Sequence, residues 1–193
     1  SFKGKITVTP PVARSVTLTS SRPHAIFGGA VVLSGTASSR KAGETVTLIA
    51  RPAGEPEQRI EVKTAAQGNW SLRVQPRIRT EYQAAFQSAL SPKLTVNVRP
   101  RITFQKVAAH RFLVVVLAAH SMAGKTVDMA RWIPGRGWVV FEAFQLTSIA
   151  RTETIAVRTV TTFVPRNTKL RIFMPAAQAA PNYMAGHSNF VVK

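Results

Sequence analysis

The chain has 193 residues, 45% of them hydrophobic, with 26 Lys and Arg against 8 Asp and Glu, a formal net charge of +18 and no cysteine. Disulfides and thiolate metal sites are thereby excluded, and the length suits one large domain or two small ones. The longest apolar run, residues 112–119, is far shorter than the roughly 20 residues of a membrane helix.

In chain order, residues 1–11 carry Ile6-Thr7-Val8-Thr9-Pro10, a string close to Leu94-Thr95-Val96-Asn97-Val98-Arg99-Pro100 further on. Ile6, Thr7, Val8 and Thr9 are therefore expected to form a leading strand. It is either the ordinary first strand of its own module, the end of a preceding module, or a strand free to pair with another subunit through its unsatisfied backbone groups. Short strands are then predicted at 15–18, 30–37, 45–50, 59–64, 70–74, 80–86 and 93–98, separated by Gly28-Gly29, Pro52, Gly54, Pro56, Gly68-Asn69, Pro76 and Ser91-Pro92. Alternation supports this, since Ile60, Val62 and Thr64 share one face while Arg59, Glu61 and Lys63 share the other. A second series follows at 102–104, 111–118, 125–131, 138–144, 154–163, 169–173 and 189–192. Residues 175–186 read as a long loop or one short turn of helix.

The two series are copies. Ala42-Gly43-Glu44-Thr45-Val46-Thr47-Leu48 returns 81 residues later as Ala123-Gly124-Lys125-Thr126-Val127-Asp128-Met129, and Pro76 with Thr80 is answered by Pro165 with Thr168, Tyr82 by Leu170. In each copy the β-branched run before this string and the one after it read as two strands flanking a tight turn, a hairpin. The fold class is all-β: two tandem sandwiches of about seven strands each. The division is 1–11 for the leading strand, 12–99 for the first module and 100–193 for the second, with Arg99-Pro100-Arg101 as a short junction. The halves up to and beyond Arg99 hold 14 basic with 5 acidic and 12 basic with 3 acidic residues, so the positive excess is global. Such a field favours anionic envelope polymers, glycans or nucleic acid as partners, or reflects solubility alone.

Catalytic signatures are sparse. Ala119-His120-Ser121-Met122-Ala123-Gly124-Lys125-Thr126 fits a permissive phosphate-loop pattern. A genuine one needs a helix after Thr126 and an acidic strand downstream, whereas the repeat register reads the same residues as a turn. Glu55 and Glu57 flank Pro56, and Glu142 and Glu153 stand alone, so no carboxylate pair is set up for acid–base work. The histidines, His24, His110, His120 and His187, have no local metal spacing. One Asp in the chain argues against a Ser-His-Asp triad. Asn69-Trp70-Ser71 matches a glycosylation acceptor but is equally a turn feeding a strand. The chain reads as a non-enzyme with no cofactor and no metal.

The binding candidates are two. Arg131, Trp132, Arg136 and Trp138 cluster on the turn around Ile133-Pro134-Gly135, where indole faces beside guanidinium groups would stack sugars or bases and pair with anions. The alternative is a hairpin whose rings cover the sandwich edge. Arg77, Arg79, Arg99 and Arg101 fall near the junction and would form a polyanion-binding hinge if they converge, or a solvated linker if they do not.

Phe27-Gly28-Gly29, Val31-Val32-Leu33-Ser34-Gly35, Ala42-Gly43-Glu44-Thr45-Val46, Gly68-Asn69-Trp70-Ser71, Pro76, Thr80-Glu81-Tyr82, Ser91, Val96 and Val98 together resemble the bacterial Ig-like repeats found in tandem in secreted and surface proteins. The likeness covers nearly all of the first module. It implies a β-sandwich with Gly in turns, Trp70 and Tyr82 in the core or at a corner, and a role in spacing, adhesion or display. The second module lacks the Gly-x-Trp-Ser and Thr-x-Tyr steps and has an enlarged middle over 132–163. The function expected is a non-catalytic extracellular or cell-surface structural or adhesive module, self-associating or meeting neighbouring modules, as in a surface filament or stalk built by strand pairing. A polyanion- or glycan-binding module and the accessory domain of a larger secreted enzyme are the alternatives. The start at Ser1, with no leader-like segment, fits a mature secreted protein or a fragment.

Overall fold

The computed structural model describes residues 14–149 and 154–193, so the leading strand expected at residues 6–9 lies outside the described residues. The protein is all-β, with four sheets that pair into two tandem β-sandwiches. The first module contains β1 (Thr19–Ser20), β2 (His24–Ile26), β3 (Val31–Thr36), β4 (Thr45–Pro52), β5 (Gln58–Lys63), β6 (Asn69–Val74), β7 (Thr80–Phe86), β8 (Ala89–Leu90) and β9 (Leu94–Arg99). The second contains β10 (Arg101–Lys106), β11 (Arg111–Leu117), β12 (Thr126–Ile133), β13 (Gly137–Gln145), β14 (Thr147–Ser148), β15 (Ile155–Thr161), β16 (Lys169–Met174) and β17 (Gly186–Val192). A single helical turn, α1 (Ala176–Ala179), precedes β17.

The first module packs the sheet β1-β3-β6 on the sheet β2-β9-β7-β4-β5, with β8 paired to β7; the second packs β10-β11-β15-β14 on β13-β12-β16-β17. Period-two alternation decides which side chains meet between the sheets. On β7 it buries Thr80, Tyr82, Ala84 and Phe86, on β11 Phe112, Val114 and Val116, and on β16 Leu170, Ile172 and Met174. Trp70 and Tyr82 lie in the first core beside Leu33, Val46 and Leu48. In the second core Phe104 and Phe112 stack with centroids 5.4 Å apart. Each is fully buried, which stabilises the fold by roughly 1.5–3 kcal/mol per ring.

The sequence repeat is a structural one. Gly43 N–H donates to the Thr64 carbonyl (2.7 Å) and Thr64 N–H to the Glu44 carbonyl (2.8 Å). In the second module Gly124 N–H donates to the Leu146 carbonyl (2.8 Å) and Leu146 N–H to the Lys125 carbonyl (2.9 Å). Both glycines hold left-handed backbone, φ +82° and +78°, which explains why Gly recurs there.

The hairpin expected around each of these turns is corrected. β3 pairs with β1 and β6, whereas β4 pairs with β5 and β7, so residues 37–44 arch from one sheet to the other. β11 and β12 are split between sheets in the same way. Two β-branched runs joined by a glycine turn satisfy either geometry locally, and the choice is made by the distant strands that take up their ladders. The strand expected at 15–18 is reduced to a bridge between Val16 and Ala37, with regular pairing beginning at Thr19. Unanticipated is β2, three residues between Pro23 and Gly28, which runs parallel to β9.

Burial of Tyr82 has a measurable consequence. Its hydroxyl is pushed up to about 12 because burial penalises the phenolate, an effect only partly offset by the hydrogen bond with Thr80. The folded chain therefore holds this proton more tightly than the unfolded chain, whose tyrosine ionises near 10.0. The stability it contributes is complete below pH 10 and is lost as pH rises towards 12, at up to about 1.4 kcal/mol per pH unit. Urea denaturation across the alkaline range is expected to show that slope, and Tyr82→Phe to remove most of it.

Candidate binding surfaces

The turn at 133–137 is tight, with Arg136 N–H donating to the Ile133 carbonyl (3.0 Å) and Gly135 and Gly137 at φ +76° and +78°. It sets Trp132 directly opposite Trp138 in the β12–β13 ladder, and the two indoles meet edge to face at 5.5 Å. Arg136 is exposed at the turn itself. Arg131 does not join the Trp pair. It lies opposite Leu170, a core residue, and its guanidinium sits over the Phe141 ring at 5.8 Å. Adjacent residues of a strand point to opposite faces, so a cluster contiguous in sequence is divided by the pleat.

The guanidinium that does reach the indoles is Arg171 of β16, 4.6 Å from the Trp138 ring. Around it on the same outer face are Phe173 (6.1 Å from Trp138), His187 (6.0 Å from Phe173) and Lys169, whose ammonium lies 5.5 Å from the Phe190 ring. These residues were not singled out in the sequence. The alternation of Lys169, Arg171 and Phe173 against Leu170, Ile172 and Met174 was visible there, but not that β16 would lie beside β12.

At the module boundary Pro100 alone separates β9 from β10. Ile78 and Val98 of the first module are buried within the core of the second, beside Tyr183 and Ile102. Segment 182–184 closes the seam: Arg79 N–H donates to the Asn182 carbonyl and Met184 N–H to the Val98 carbonyl, both at 2.9 Å. Arg101 Nε donates to the Phe27 carbonyl at 3.1 Å, Arg99 Nε is buried without a hydrogen-bond partner, and Arg77 is close enough to Tyr183 to act on its charge. All four arginines thus lie along the seam, Arg77 and Arg79 beside 182–183, Arg99 and Arg101 beside Gly186 and Gly28.

The phosphate-loop look-alike is a turn followed by strand, since β12 begins at Thr126 and no helix starts there. Glu55 faces His120 across the seam (3.4 Å), and Glu57 accepts from Arg51 and Arg59. Among the described residues no three His, Cys, Asp or Glu side chains group as metal ligands. Asn69 accepts a bond from the Thr36 hydroxyl at 3.1 Å.

No family model matches the chain, and no curated protein does. Among solved structures it is similar to a tetra-tandem repeat from the extending region of a large adhesion protein (10% identity, TM-score 0.38), covering 94% of this chain and 49% of that one. The chain thus spans about half the length of that repeat array. It is similar also to a two-domain fibronectin type-III segment of chicken tenascin (13%, TM-score 0.45; 91% and 97% covered). A marsupial T cell receptor is a third neighbour (9%, TM-score 0.37; 93% and 100% covered). The architecture itself rests on the strand order and register described above.

Tyr183 tests the seam. It is 5% exposed, and its hydroxyl accepts from the Ala119 N–H (2.7 Å) and the His120 N–H (3.3 Å). Burial holds its ionisation above the usual tyrosine value. Tyr183→Phe strands those two amides, and equilibrium unfolding is expected to show a loss of about 1–3 kcal/mol at neutral pH.

Proposed function

We propose that the chain is a non-catalytic structural or adhesive segment of an extracellular or cell-surface assembly, a stiff two-module rod divided at Pro100 into 12–99 and 100–193. The observation that carries this reading is the seam. A spacer needs a fixed angle between its modules, and this one has a single-residue connection, two backbone hydrogen bonds across the boundary and core residues of one module buried in the other. A flexible linker would instead need several exposed Gly or Ser residues. Extension of the assembly would come from residues 6–9 adding to a sheet edge of a neighbouring subunit. Among the described residues β5 and β6 each stand at the end of a sheet, the kind of edge such an addition needs.

Small-angle X-ray scattering is expected to fit one rigid arrangement for the natural chain and to broaden when two glycines are inserted after Pro100. A natural chain that already scatters as two freely jointed bodies would refute the rod. Deleting residues 1–10 is expected to abolish self-association while both cores stay folded, and unchanged light scattering would remove the strand-exchange element.

A further inference from the structure

The repeat supplies an internal control. The sheets β2-β9-β7-β4-β5 and β13-β12-β16-β17 occupy corresponding places, and β4 and β12 keep matching partners around positions 49 and 130, although the second sheet carries bulges at Met129/Ala130 and between Arg171 and Phe173. Ile49 pairs with Arg59 and Gln83 where Ala130 pairs with Val140 and Arg171, and Arg51 pairs with Glu81 where the next position in the second module is Trp132. In the first module the outer face is closed by ion pairs. Arg51 meets Glu57 (2.9 Å) and Glu81 (3.6 Å), Arg59 meets Glu57 (3.0 Å), and Lys93 meets Glu81 (3.0 Å). Such a face is already satisfied and solvated.

The corresponding face of the second module holds no ion pair among the described residues. Trp132 stands 44% exposed, Val140 52%, Phe190 48% and Val192 47%, with Arg171 and Lys169 laid among the rings. Ala130, outside the core cluster yet fully buried, is the floor beneath them. The small side chain at this position, where the first module has Ile49, leaves room for Trp138 to reach Arg171 and Phe173. A contiguous exposed aromatic surface is costly to maintain in water and marks an interaction site.

The charge on this face decides the occupant. The cations Lys169 and Arg171 project from it beside His187, against one acid among the described residues, Asp128, in a chain of net +18. A second copy docked face to face about a two-fold axis would set these cations against themselves. An anionic partner with flat apolar rings satisfies both features at once. We propose that this face binds an acidic polysaccharide, its pyranose rings stacked on Trp132 and its carboxylates held by Arg171 and Lys169. Indole gives the ring contact, and the guanidinium, already fixed over Trp138, presents its donors to a carboxylate with little ordering cost. The inference deepens the adhesive reading. The two fail separately, because scattering reports the rod and retention on a glycan reports the face.

The test is affinity electrophoresis of the full chain in gels containing polygalacturonate, dextran or polyglutamate at one fixed, moderate salt concentration. Retention by polygalacturonate and not by dextran is expected. Trp132→Ala and Arg171→Gln should each weaken it roughly tenfold or more. Arg59→Gln, which removes the same charge from the ion-paired face of the first module, should change it little. Trp132→Leu, apolar but not planar, repeats the test if the alanine variant fails to fold. Lack of retention by polygalacturonate overturns the proposal, as does an equal effect of Arg59→Gln and Arg171→Gln with none from Trp132. Equal retention by polyglutamate, equally dependent on Trp132, overturns it in favour of an acidic polypeptide.

Discussion

One residue, Pro100, stands between the last strand of the first sandwich and the first strand of the second, and most of the architecture follows from that spacing. With so little chain to separate them the two sandwiches abut, and Ile78 and Val98 are buried among the side chains of the second core. The fixed proline φ and the extended residue before it narrow the path further. Segment 182–184 then satisfies backbone groups that the abutting ends would otherwise leave buried without partners, which is why a tyrosine there is closed off from solvent.

Two copies of one framework, joined in this way, carry opposite solutions on corresponding sheets. The first answers exposure with carboxylates placed to meet Arg51, Arg59 and Lys93. The second, in a module with only three acidic residues, answers it with rings under cations. Both faces lie on the outside of a sandwich sheet, where core packing does not dictate the side chains.

Much of this was legible in the residues. The 81-residue spacing of the two glycine turns located β4 and β12 and the sandwich class, because a left-handed glycine and a β-branched exit are local requirements. What local signals could not carry was partnership. The runs on either side of Gly43 read as a hairpin because nothing in them says that β6 and β7 compete for their edges. Arg131 and Trp132 read as one cluster because adjacency in sequence conceals the pleat, and Arg171, some forty positions away, joins the indoles only once β16 is laid beside β12. Tyr183 was hidden for a similar reason: in a segment of alanines and prolines it looks like loop, and its two amide donors arrive from residues 119 and 120.

The seam also bears on how the chain would respond to mechanical load. A pull along the backbone enters the second module through Arg99-Pro100-Arg101, and in parallel through the bonds joining Val98 to Met184 and Arg79 to Asn182. The boundary therefore has no slack to pay out before those bonds part. Force is passed from one sandwich to the next as through a splint, not absorbed as by a tether.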